Sequence, residues 1–206
     1  KKGIDKVFFR LYPEVCIVDK KEAIRKAAIK IMAKEGFYNT KMQAIADECG
    51  IAIGTLYLYF KSKEDILDYI FMVEYKKRLA FAEYLRKSDL SGLQQISSFL
   101  VYHLFHLKNH PDTTKVLIQE VYNPSLNNRL EWVSESYSGM VDIFKKMLDY
   151  AKENGEIRDI DTEIIGATIF LSSRALTYKL QKEGKESDYD YAFEQFISFV
   201  ISGIKN

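Results

Sequence analysis

Breakers of helical structure are scarce in this chain. It has three prolines and ten glycines in 206 residues, which leaves room for long helices. Cysteine is scarcer still. Cys16 and Cys49 cannot make a disulfide framework, so a reduced, cytoplasmic setting is the simpler reading. No apolar run approaches the length of a membrane span. The segment 7–18 is apolar in parts, but Arg10, Pro13 and Glu14 interrupt it and make it a poor signal peptide. A membrane partner is therefore not expected. Catalytic constellations are missing too: no Ser-His-Asp set, no carboxylate pair on a loop, no Gly-rich phosphate loop and no Cys-x-x-Cys. The expectation is a protein that is not an enzyme and uses no cofactor.

What is present suits one or two globular domains: 47% hydrophobic and 29% charged residues, with no internal repeat. The formal net charge is only +1, yet it is unevenly spread. Residues 1–34 hold ten Lys/Arg against four Asp/Glu, and the remainder holds twenty against twenty-five. A basic end on an acidic body is consistent with an electrostatic footprint for DNA, with a solvated basic helix face as the competing reading.

The most informative stretch is 40–63, which reads as two short helices joined by a tight turn. Thr40 and Gln43 have the spacing of a capping box, and Gly50 supplies the positive φ of a sharp turn. Ala46 is small enough for a close crossing, and Leu56 is the apolar residue that would fill it. The second helix, about 53–60, carries Thr55, Tyr57 and Tyr59, with Lys61 and Lys63 just beyond. This is the pattern of a helix-turn-helix with phosphate-binding groups at its edges.

The run Gly54-Thr55-Leu56-Tyr57-Leu58-Tyr59-Phe60-Lys61-Ser62-Lys63-Glu64-Asp65-Ile66-Leu67 resembles the signature of TetR-type transcriptional regulators. The likeness extends back through Ala27-Ala28 and Glu35-Gly36-Phe37 and covers about 20–73. It implies a dimeric, all-helical, one-component switch, in which a small molecule bound by the C-terminal domain alters DNA binding. The wording of that run, with Asn154-Gly155-Glu156-Ile157 and the terminal Ser202-Gly203-Ile204-Lys205-Asn206, is similar to members that sense fatty acyl-CoA. A multidrug sensor controlling an exporter is the rival.

The rest of the chain also reads as helical. Helices are expected at 20–34, 63–86, 91–109, 113–122, from near Ser125 to Gly155, at 162–183 and at 189–204. The expected fold is all-α, about nine helices in three parts. These are an N-terminal extension (1–18), a helix-turn-helix domain (19–73) and an effector-binding and dimerisation domain (74–206).

By resemblance, Thr40, Tyr57, Tyr59 and Lys63 touch the DNA backbone, and Ala52, Ile53, Gly54 and Thr55 face base edges. Lys20, Lys21, Lys41 and Lys61 complete the basic face. Ile53 departs from relatives with a polar or basic residue there and offers an apolar contact only, for instance to a thymine methyl. His103, His106 and His110 share one face of the fifth helix at metal-ligand spacing. No nearby Cys or acid on that helix completes a set, so no metal is expected, and pocket lining or helix-end capping is the competing reading. The effector is expected to touch Tyr102, His103, His106, Tyr137, Phe144 and Phe170. The last two helices should pair in a homodimer through Ala167, Ser172, Ala175, Phe196 and Val200, because the ninth is apolar over more than one face. The functional expectation is a repressor released from double-stranded operator DNA by a small apolar effector. The alternative is a helical protein-interaction module without DNA binding.

Overall fold

The computed structural model describes residues 20–121 and 130–206. Nine α-helices occur among them: α1 (Lys20–Glu35), α2 (Met42–Cys49), α3 (Ile53–Tyr59), α4 (Lys63–Arg86), α5 (Gly92–Asn109), α6 (Pro111–Val121), α7 (Glu131–Glu153), α8 (Thr162–Lys182) and α9 (Tyr189–Ile204). The N-terminal extension, Cys16 and the expected start of α7 at Ser125 lie outside the described residues.

Local chemistry sets most boundaries. Ser62 accepts from the Asp65 N–H at the start of α4, and Asp161 accepts from the Glu163 and Ile164 N–H groups at the start of α8. α6 begins two residues earlier than expected because Pro111 occupies its first turn, where a missing N–H costs nothing. The capping box expected at Thr40 and Gln43 does not form. Thr40 is buried and donates back to the Gly36 carbonyl at 2.8 Å, while Gln43 reaches Asp47 and Lys41 stands at the cap. A box of that kind forms instead at Ser91 and Gln94, starting α5.

α1, α2, α3 and the first half of α4 share one apolar core, centred on Ile24, Ala28, Ile45, Leu56, Leu67 and Ile70. That core continues into Val116 of α6 and Val133 of α7. A second core, around Ile96, Phe99, Phe144, Leu148 and Ile169, binds α5, α7, α8 and the end of α4. α4 runs through both. Its 24 residues span about 36 Å at 1.5 Å per residue.

Two carboxylates reach across the sequence to cap helices remote from them. Asp68 of α4 accepts from the N–H groups of Trp132 (2.7 Å) and Val133 (3.2 Å) at the start of α7. Glu156 accepts from Gly92 and Leu93, both at 2.9 Å, at the start of α5. Each places a negative charge at the positive end of a helix dipole. Gly139 lets α7 lie against α4, since a Cβ there would overlap the ring of Tyr75.

Candidate DNA-reading head and ligand cavity

The α2–α3 turn depends on Gly50, whose φ of 68° lets the Ile51 N–H reach the Ala46 carbonyl at 3.0 Å. Ala46 and Leu56 are both fully buried at the crossing. α3 therefore shows solvent a defined outward face. Ala52, Gly54, Tyr57, Leu58 and Lys61 are exposed, with Leu58 at 83%. Lys20 and Lys41 are exposed as well. Ile53 and Tyr59 instead pack partly against the head core, and Thr55 is half-buried.

Two residues expected to grip phosphate are otherwise engaged. Thr40 is 2% exposed, with its hydroxyl turned inward. The Lys63 ammonium donates to the carbonyls of Phe37 (2.9 Å), Tyr38 (2.8 Å) and Thr40 (3.3 Å), and sits 4.8 Å from the Phe37 ring centre. It ties the start of α4 to the loop after α1. Lys21 lies over the rings of Phe60 and Tyr69. Leu58 and the 64% exposed Tyr38 were not anticipated as surface groups of the head. Leu58 was legible, since it follows the outward Gly54 by one helical turn.

The second site lies where α4 passes between the cores. A cavity of about 40 Å³ is lined by Phe71, Glu74, Tyr75, Arg78, His103, Leu107, Leu117, Ile118, Ser136, Met140, Phe170 and Arg174. Its floor is a buried charge network. Glu74 is 3% exposed and accepts from Arg25 of α1 (3.2 Å), from Lys77 (2.9 Å) and Arg78 (3.1 Å) of α4, and from His106 of α5 (2.8 Å). Burial would raise the Glu74 carboxyl, but the His106 hydrogen bond and the charges of Arg78 and Lys77 outweigh it and hold it well below the usual carboxylate range. Burial pushes His106 down to about 4, against the pull of Glu74. At neutral pH the 2.8 Å contact is thus a neutral imidazole N–H on a carboxylate.

His103 is pushed well down by burial, reinforced by the charges of Arg78 and Arg174. Its Nδ1 accepts from Arg78 Nε at 3.2 Å, which leaves the proton on Nε2, facing Ser173. Arg174 donates to the Leu117 carbonyl at 2.7 Å and lies over the Phe170 ring. On the far side of Glu74, a surface cleft of about 430 Å³ runs between α1, α4 and the start of α6, lined by Arg25, Lys77 and His110 among others.

Of the expected effector contacts, His103 and Phe170 line the cavity. His106 stands behind Glu74. Tyr102 stacks on Phe81 at 4.1 Å, and Phe144 packs edge-on to Phe99 in the second core, so neither faces the cavity. Tyr137 sits at the surface, edge-on to Phe170. His106 and His110 lie ring against ring at 4.3 Å, while His103 turns to Arg78 and Ser173, and among the described residues no group of three His, Cys, Asp or Glu is placed to hold a metal. The missed residues were on α4. Its buried face reads Ile66, Leu67, Ile70, Phe71, Glu74, Arg78, Ala82, Leu85, and two charges one turn apart in an apolar stripe are a signal.

On the last two helices, Val200 is 6% exposed and belongs to the chain's own core, and Phe196 is half-buried. Ala167 and Ser172 are half-buried and Ala175 is exposed. The outward apolar residues are Ile164 (63%), Leu171 (37%) and Tyr178 (43%), seven apart on α8, and Tyr191 (70%) and Phe199 (76%) on α9. Phe199 is the most exposed of these and stands one residue, about 100° of helical turn, from the buried Val200.

Residues 24–70 match the family model for bacterial regulatory proteins of the tetR family. Over 181 residues the chain is 24% identical to the fatty acid metabolism regulator protein of Bacillus subtilis (strain 168), covering 87% of this chain and 93% of that one. The crystal structure of the transcriptional regulator FadR from Bacillus subtilis in complex with stearoyl-CoA superposes with a TM-score of 0.79 at 23% identity, covering 89% of this chain and 98% of that one. A SmeT–triclosan complex also superposes at 0.79, with 16% identity, covering 91% and 92%. At these identities the superpositions show the fold.

Proposed function

Because this chain belongs to the TetR family of bacterial regulatory proteins, we propose that it is a cytoplasmic, homodimeric repressor released from operator DNA by a small effector with an apolar body. The observation that carries the reading is Glu74. One buried carboxylate lines the cavity and also holds Arg25 of α1, so cavity and head share a hydrogen-bonded group. α4 adds a rigid connection, since it contributes residues to both cores. A ligand that displaces α4 or the Glu74 network would change the separation of the two α3 helices in a dimer. DNA sets that separation to its groove spacing, so several phosphate contacts would weaken together. A coupling of about 1–3 kcal/mol would change operator affinity about 5–150-fold, and the operator would weaken effector binding by the same factor.

The stearoyl-CoA and triclosan bound by the two structural neighbours both have apolar bodies, which supports that character for the effector here. The apolar stripe of Ile164, Leu171, Tyr178 and Phe199 supports pairing of α8 and α9 with a second copy. Selection of binding duplexes from a random pool tests the reading. A pseudo-palindrome with half-sites about one helical turn apart, or a little more, is expected. With about three to four phosphates neutralised per head, the log–log salt slope should be roughly −5 to −7. Absence of any selected duplex, or binding indifferent to salt, would refute it.

A further inference from the structure

We propose that the cavity beneath α4 takes an acidic group at the end of an apolar effector, with Arg78 as the anion-binding residue. The inference rests on the regulator reading above and specifies the chemistry of its ligand.

Charge is the first indication. Among the described residues Glu74 is the one buried carboxylate, and it is shared by Arg25, Lys77 and Arg78, with His106 neutral beside it. Glu22 shares Arg25 from the edge. Three cations thus face two carboxylates, and two of the three, Arg25 and Arg78, are buried, where an added anion is favoured. Arg174 lines the same cavity from α8 and adds to that preference. Arg78 suits the role geometrically. It is 4% exposed, held by His103 at Nε and by Glu74 at one terminal nitrogen, and it borders the cavity. A guanidinium fixed on one edge and open to a cavity can accept a carboxylate without losing further side-chain freedom.

Size and lining specify the remainder of the ligand. About 40 Å³ holds an acidic group and little more, while the walls around it are Phe71, Leu107, Leu117, Ile118, Met140 and Phe170. An apolar body would enter by repacking these side chains, of which Met140 is the most adaptable. The occupant these features select is an amphiphile with one anionic end.

Such a ligand is also a switch. A second carboxylate on Arg78 competes with Glu74 for it and repels Glu74 itself. Glu74 is the tie to Arg25 on α1, at 3.2 Å, so the binding event weakens a link between sensor and head.

The test uses the full chain and three probes of one chain length: dodecanoate, dodecanol and dodecanoyl-CoA. Binding is read by calorimetry, and operator release by anisotropy of a selected duplex. The expected result is that dodecanoate binds at least tenfold tighter than dodecanol and releases the operator. Arg78→Gln should abolish the preference and Arg78→Lys should restore part of it, with thermal melts reporting folding of both. Comparison of the probes on the wild type needs no variant, so a misfolded mutant does not remove the test. Equal affinity for acid and alcohol would overturn the proposal. So would release by the thioester alone, or no binding of any probe to a protein that holds its operator. Failure of the wild type to bind any duplex would instead overturn the regulator reading, while the acid–alcohol comparison would still be legible by calorimetry.

Discussion

The head and the sensor solve different problems with the same element, an amphipathic helix. In the head, α1 to α3 pack an apolar core and turn most of their polar groups outward, the buried Arg25 apart, so the working surface is whatever the core leaves over. In the sensor, α4 carries Glu74 and Arg78 on its buried face, and the interior itself is chemically differentiated. The two regions therefore differ in robustness. A surface that works by exposure tolerates substitution without loss of fold. A buried charge network cannot, because each member satisfies another.

The contrast between inside and outside is tested most severely on α9, where inward and outward positions are adjacent. Val200→Asp places a charge in the second core and should cost about 3–5 kcal/mol or unfold the chain, by analogy with orphaned buried charges. Phe199→Asp should leave the helical signal intact and convert a dimer to a species of 24.0 kDa in light scattering. If Val200→Asp melts like wild type, the assignment of inward and outward faces is wrong.

The network should next appear in the dependence of stability on pH. His106 is depressed to about 4 from 6.5, so the unfolded chain binds its proton first. Its contribution is complete above about 6.5 and is lost as pH falls toward 4. Glu74, also depressed, contributes above its ordinary value of 4.5 and is lost below it, so the two losses add in the same direction. Urea midpoints measured from pH 7 to 4 should therefore fall, and His106→Gln should flatten the upper part of the curve. A midpoint rising over that window would contradict the network.

Within the head, two lysines separate structure from DNA contact. Lys63→Met removes hydrogen bonds from a charged donor to three carbonyls and should cost about 1.5–3 kcal/mol of stability, with the salt slope of DNA binding unchanged. Lys61→Ala should do the reverse. Stability should stay within about 0.5 kcal/mol, and the salt slope should become shallower by about 1 for each phosphate that Lys61 neutralises. The opposite pairing of effects would return Lys63 to the phosphate.

A change that barely touches stability carries the most information about readout. Leu58 is 83% exposed, so Leu58→Ala should alter stability by no more than about 0.5 kcal/mol. If Leu58 packs against a thymine methyl, the selected operator should lose its preference at one position. An unchanged operator would remove Leu58 from the reading face.

Most of the helices were legible in the sequence, because caps, glycines and apolar periodicity are local. α4 and α9 begin and end as the pattern requires, and Gly50 and Leu56 mark the turn and its crossing. The helix-turn-helix surface was partly legible, since exposure on a short helix follows from its period. Where local pattern misled, a side chain had a partner elsewhere in the fold. Thr40 fitted a cap by spacing, yet its hydroxyl turns to Gly36. Lys63 is expected at a phosphate, and its ammonium also donates to carbonyls more than twenty residues earlier, which no local pattern announces.

Residue order alone thus specifies the set of helices, the apolar face of most of them and the motif that reads DNA. Packing of the helices selected which aromatic residues face the cavity, turned Val200 inward, and let one carboxylate join α1, α4 and α5. The division follows from range. Helix formation is governed by neighbours three or four residues away, whereas Glu74 takes its meaning from Arg25, 49 residues before it, and His106, 32 residues after.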